Sequence, residues 1–133
     1  MTNIIDIRKE ATEAPYEAIL WERGEVTALY YGFAQDIDLR GRVVGQENGN
    51  AVLWERGETT LLWPDGMAHG LNARGQAAGS GFINGSGQAI VWQDGALTAL
   101  GANTNAYAIN LAGMVARAEY SYPYKAMLWN PVQ

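Results

Sequence analysis

A chain of 133 residues, 48% hydrophobic and only 17% charged, is long enough to bury one domain's core and too apolar for a disordered segment. A net charge of −5, with nine scattered Lys and Arg residues, supplies no basic stripe to neutralise phosphates, so neither nucleic acid nor an anionic membrane surface is an expected partner. The absence of cysteine removes disulfides, thiolate metal sites and thiol nucleophiles together.

At the N-terminus the apolar run Ile4 to Ile7 is broken by Asp6 and followed by Arg8 and Lys9. That is neither a secretory core nor a membrane span, so the chain as written is expected to be soluble and cytoplasmic. The next apolar run, Ala18-Ile-Leu-Trp21, passes through Glu-Arg-Gly24 into Val26-Thr-Ala-Leu29. Two short apolar runs around a Gly-containing turn predict a β-hairpin over 18–29.

The block Ala34-Gln-Asp-Ile-Asp38 then reaches Gly41 and continues into Val43-Val44-Gly45, which predicts two more strands joined by a tight turn. The same order returns twice. Hairpins are predicted at 51–62 and 89–100, and linked blocks at Ala68-His-Gly-Leu-Asn72 and Ala106-Tyr-Ala-Ile-Asn110, with turn glycines at Gly75 and Gly113. A fourth copy of the Trp-ending run, Ala126-Met-Leu-Trp129, follows at 126–129.

Trp21, Trp54, Trp92 and Trp129 are thus 33, 38 and 37 residues apart, the period of a stacked or circular array. One repeat is four short antiparallel strands, and residues 1–133 form a single repeat domain. Asp38, Asn72 and Asn110, three residues before each turn Gly, suit side chains that hydrogen-bond their own backbone. The four Trp residues, one per repeat at a common register, are expected in the core or between repeats. No long stretch keeps a 3.6-residue apolar period, so no substantial helix is predicted.

The pattern Ala-x-x-Ile-Asn-x-x-Gly-x-Val-x-Gly, followed by an Ala-apolar-apolar-Trp-x-x-Gly-x-x-Thr-x-Leu hairpin, resembles the bacterial HAF repeat of probable extracellular repeat proteins. The resemblance covers nearly all of residues 16 to 129. It implies a β-propeller of four-stranded blades, in chains that are often exported, which leaves an extracellular location open.

The count of strand copies comes to about three and a half blades. A propeller closes only when its last blade meets its first, because an open array leaves blade faces and strand edges in water. The expected architecture is therefore an all-β propeller closed by homodimerisation into six to eight blades. A monomeric four-bladed ring is the alternative, and a β-trefoil is disfavoured by the fourth Trp copy.

The chemistry-bearing residues are few. His69 is the sole histidine and occupies the repeat position of Gln35 and Tyr107, so these three are the candidate contacts where an array would build an asymmetric site. No serine lies in a nucleophile elbow. Asp36-Ile-Asp-Leu-Arg-Gly41 lacks the ligands of a Ca²⁺ loop, so no metal and no cofactor is expected. Asp36 and Asp38 are better turn stabilisers than an acid-base pair.

Aromatics outside the Trp register, namely Tyr30, Tyr31, Trp63, Tyr122 and Tyr124, are the further candidates for stacking on a ligand or on another protein. Three functions fit. The favoured one is a non-catalytic binding module for a small molecule, glycan or peptide, using the channel or one loop face. The others are a small lyase, isomerase or hydrolase with His69 or a channel Tyr as general acid-base, and a structural assembly repeat.

Overall fold

The computed structural model describes residues 16–120 and 123–130. Within them the chain forms twelve β-strands and no helix: β1 (Glu17–Glu22), β2 (Glu25–Ile37), β3 (Val43–Glu47), β4 (Asn50–Glu55), β5 (Glu58–Trp63), β6 (Gly66–Leu71), β7 (Ala77–Ile83), β8 (Ser86–Gln93), β9 (Ala96–Ala102), β10 (Thr104–Ile109), β11 (Val115–Glu119) and β12 (Lys125–Trp129). They make three antiparallel sheets ordered β1 to β5, β6 to β9 and β10 to β12, each a simple meander.

The long strand β2 serves two partners. Its residues 25–31 pair with β1, whereas residues 32–37 pair with β3. The switch falls at Gly32, whose φ of 152° and close approach to the Gln46 carbonyl leave no room for a Cβ. Divided there, the described chain is four consecutive units: two strands (β1 and 25–31), four (32–37 with β3, β4 and β5), four (β6 to β9) and three (β10 to β12). The four-strand antiparallel repeat expected from the sequence is therefore present.

Tight turns fix the hairpins. At Arg23-Gly24, Asn48-Gly49, Arg56-Gly57, Asn84-Gly85 and Asp94-Gly95 both residues have positive φ, between 50° and 88°. This geometry matches the right-handed twist of the flanking strands. The turn between β7 and β8 is Asn84-Gly85, and Ser86 already belongs to β8.

Each unit packs face to face on the next, and the three seams are the core. Ala18, Leu20, Leu29 and Tyr30 of the first unit meet Val43, Val52 and Trp54 of the second. Val44, Ala51, Leu53, Leu62 and Trp63 of the second meet Ala68, Leu71, Ala77, Ile90 and Trp92 of the third. Ala78, Ala89, Val91 and Leu100 of the third meet Ala106, Ile109, Val115 and Trp129 of the fourth. Small side chains alternate with large ones, which lets the sheets approach closely. Each fully buried Val or Leu contributes about 1.5–3 kcal/mol.

In this arrangement the repeat Trp of a unit always faces the preceding unit. Trp54 is buried, and Trp92 and Trp129 are half-buried in their seams. Trp21 departs from the expectation: it is 69% exposed, because no unit among the described residues lies against the face it presents. The β1 and β10–β12 ends of the array do not pack together among the described residues, and the sheets stay open. Among the described residues the strands close neither into a four-bladed ring nor into the barrel of a trefoil.

Candidate functional site

The first strand of the second, third and fourth units (32–37 of β2, then β6, then β10) carries an irregularity at one place. Pairing slips between Ala34 and Asp36, between Ala68 and Gly70, and between Ala106 and Ala108. The residues left over are Gln35, His69 and Tyr107, the three candidates singled out in the sequence. A β-bulge releases one residue from the ladder and re-aims its side chain, so a polar residue there is spared a core partner.

The bulged strands lie beside one another. A Cβ on Gly70 would stand 3.1 Å from the Ala108 Cα, so β6 and β10 approach more closely than a side chain between them would allow. This brings the His69 and Tyr107 rings together with centroids 5.6 Å apart and planes tilted by 40°. On the other side, the Asp36 carboxylate joins β2 to β6: its Oδ2 accepts from the Leu71 backbone N–H at 2.9 Å, and its Oδ1 accepts from Ile37 N–H at 2.9 Å.

His69 is half-buried, and burial holds its imidazole below the ordinary value of 6.5. It is neutral at pH 7, with one ring nitrogen donating and the other accepting. Tyr107 is exposed, with its ring tilted against that of His69. Gln35 is also exposed and lines an open cleft of about 310 Å³ with Ile19, Trp21, Asp36 and Ile37. The surface offers aromatic faces and neutral hydrogen-bonding groups, which suits an uncharged polar ligand better than an ion.

The turns below this row are structural, as expected. The Asp38 Oδ1 accepts from the N–H of Arg40 and of Arg42, and its Oδ2 accepts from Arg42 Nε at 2.6 Å. Burial pushes the Asp38 carboxyl up, but the Arg42 backbone and side-chain hydrogen bonds and the Arg42 charge outweigh it and lower its pKa overall. Asn72 accepts from the N–H of Arg74 and of Gln76, and Asn110 accepts from that of Met114. Gly41, Gly75 and Gly113 each have φ between 83° and 87°.

The off-register aromatics divide. Tyr30 and Trp63 are not a ligand surface: they are 7% and 2% exposed and occupy equivalent places in the first two seams. The Tyr30 hydroxyl donates to the Phe33 carbonyl at 2.8 Å, and Trp63 Nε1 donates to the Ser80 carbonyl at 2.9 Å. Both stand outside the Trp register, yet their spacing of 33 residues matches that of Trp21 and Trp54.

Tyr31, 38% exposed, pairs across from Glu17 at the β1 end, away from the bulge row. Tyr124 is 71% exposed and meets the Tyr120 ring edge-on at 6.1 Å, at the β12 end. Tyr122 lies outside the described residues. Of the eight candidates, the structure gathers His69 and Tyr107 into contact and sets Gln35 at the matching bulge. Ile19, Trp21 and Ile37, which share the cleft with Gln35, were missed, since their types and spacings are those of core positions.

The chain matches no protein-family model, no curated protein and no solved structure.

Proposed function

We propose that the chain is a non-catalytic binding module of propeller type, whose bulge row Gln35, His69 and Tyr107 contacts a small uncharged polar molecule, a glycan or a peptide segment. The observation that carries this reading is the placement of three unlike side chains at three equivalent bulges on adjacent strands. Repetition fixes the backbone and the turns, so variation confined to one register changes recognition at little cost to the fold. The HAF-like repeat pattern and the stacking of meander units support the propeller part of the proposal.

The His69 and Tyr107 rings offer flat apolar area with few torsions to freeze, and the Gln35 amide adds a donor and an acceptor. Such sets recognise sugars and planar amides by stacking with a few hydrogen bonds. Backbone amide spectra of the ¹⁵N-labelled chain, recorded against a panel of oligosaccharides and short peptides, test it. Binding is expected to shift residues flanking 35, 69 and 107 and to weaken tenfold or more in His69→Ala/Tyr107→Ala. A ligand whose shifts lie elsewhere, or whose affinity the double variant leaves intact, overturns the reading.

A further inference from the structure

We infer that a second copy of this chain docks head to tail on the first, its last unit covering the exposed face of the partner's first unit. The inference stands on the packing of the units and does not need the ligand reading, although the Ile19 and Trp21 that it covers also line the cleft beside Gln35.

The three internal seams show what each face of a unit is for. The face turned to the following unit carries the residue before the repeat Trp and the Ala three residues before that Trp. In internal copies these are Leu20 with Ala18, Leu53 with Ala51, and Val91 with Ala89, and the three alanines are 0% to 4% exposed. The face turned to the preceding unit carries the Trp and the residue two before it: Val52 with Trp54, Ile90 with Trp92, and Met127 with Trp129, all buried or half-buried.

The ends of the array break that rule in a complementary way. In the last unit the following-facing positions are open: Leu128 is 62% exposed, and Ala116 and Ala126 are exposed, although Val44 and Ala78, the register mates of Ala116, are fully buried. In the first unit the preceding-facing positions are open: Ile19 is 47% exposed and Trp21 69%. Each open face is therefore one half of a seam that the chain builds three times internally.

A terminal repeat that ends an array carries a polar outer face. Neither outer face of the described units is polar: one presents Ile19 and Trp21, the other Leu128 with Ala116 and Ala126. Joining Leu128, Ala116 and Ala126 of one copy to Ile19 and Trp21 of another repeats the internal chemistry of small against large. Such a contact is heterologous, so it closes as a ring or runs on as a filament. With contacts at both ends of each chain, two copies cover all four open faces in a ring.

The test is the solution mass of the full chain by light scattering across concentration, for the wild type, Trp21→Glu, Leu128→Glu and an equimolar mixture of the two variants. A discrete wild-type dimer is expected. Each variant alone should be monomeric, with its dissociation constant raised about 30-fold or more, the scale of a lost interface anchor. The mixture should regain dimers, because it retains one intact seam between the Leu128 face of the first variant and the Trp21 face of the second.

Failure of the mixture to associate, with both single variants monomeric, would point to a like-with-like contact and overturn the head-to-tail arrangement. A wild-type dimer indifferent to both substitutions, or a wild-type monomer, overturns the docking itself. In a monomer, blue-shifted Trp21 fluorescence, referenced to Trp21→Phe, would assign the face to another segment of the same chain. A mass that climbs without limit with concentration overturns closure by two copies.

Discussion

The side-chain amide of Asn72 donates to the backbone carbonyl of Asn110 at 2.8 Å, so the turn that begins after β6 is tied directly to the same turn one unit later. The same Nδ2 also donates to Gln76 Oε1 at 2.6 Å, and the Oδ1 takes two backbone N–H groups within its own turn. Gln76 carries the link outward, its Nε2 donating to Gln93 Oε1 at 3.1 Å. One buried side chain, 5% exposed, therefore closes a hairpin and fixes the spacing between two sheets.

Asn72→Ala removes the four bonds of its own side chain and leaves buried backbone groups unpaired, so it should cost about 3 kcal/mol. Asn110→Ala, at an exposed turn where the side chain caps only Met114 N–H, should cost about 1 kcal/mol. Asn72→Asp keeps the acceptor oxygen and loses both bonds donated by Nδ2, to Asn110 and to Gln76, which separates them from the bonds within the turn. Urea unfolding of the three variants checks the order; equal losses at 72 and 110 would show that the link contributes nothing.

His69 sets an acid limit. Its folded pKa lies below the unfolded value of 6.5 because burial disfavours the imidazolium, so the unfolded chain takes up the proton first. The contribution of His69 to stability is present above pH 6.5 and is lost as pH falls from there through the folded pKa. In His69→Gln that part of the acid slope should vanish. Thermal melts of both proteins from pH 7.5 to 5 decide it, and parallel curves would mean that the ring is not held neutral by its site.

Tyr30 sets an alkaline one. Burial, reinforced by the charge of Glu47, pushes its phenol from 10.0 to about 12. The unfolded chain releases this proton first, so the stabilisation is complete below pH 10 and is lost as pH rises towards 12. Tyr30→Phe should lower stability at pH 7 by about 1 kcal/mol, through the lost bond to the Phe33 carbonyl, and should show a shallower decline above pH 10. Absorbance titration at 295 nm provides the check: removal of one late-ionising phenol is expected, and an unchanged high-pH phase would count against it.

Much of the architecture was legible because it is local and repeated. Hairpins at 18–29, 51–62 and 89–100 follow from apolar runs around Arg-Gly and Asp-Gly turns, which act over a handful of residues. The Asx side chains at 38, 72 and 110 were readable for the same reason. The candidate site was legible in part: three unlike residues at one repeat position marked 35, 69 and 107. That this position is a bulge was not, because a bulge is defined by the partner strand, and nothing within Ala34-Gln-Asp or Ala68-His-Gly announces the slip.

Burial was the least legible property. Trp21 and Trp54 have nearly identical flanks, Leu20-Trp-Glu-Arg-Gly-Glu25 and Leu53-Trp-Glu-Arg-Gly-Glu58, and yet one is 69% exposed and the other 8%. Conversely Tyr30 and Trp63, which read as spare aromatics, are seam residues. The sequence by itself determined the strands, their antiparallel order and the turns, since backbone geometry and two-residue alternation act between near neighbours. Only the tertiary structure decided which units lie side by side, and hence that equal residues at the ends and in the middle of the array meet water in one case and another sheet in the other. Burial depends on what stacks against a face, and a repeated sequence writes the same face every time.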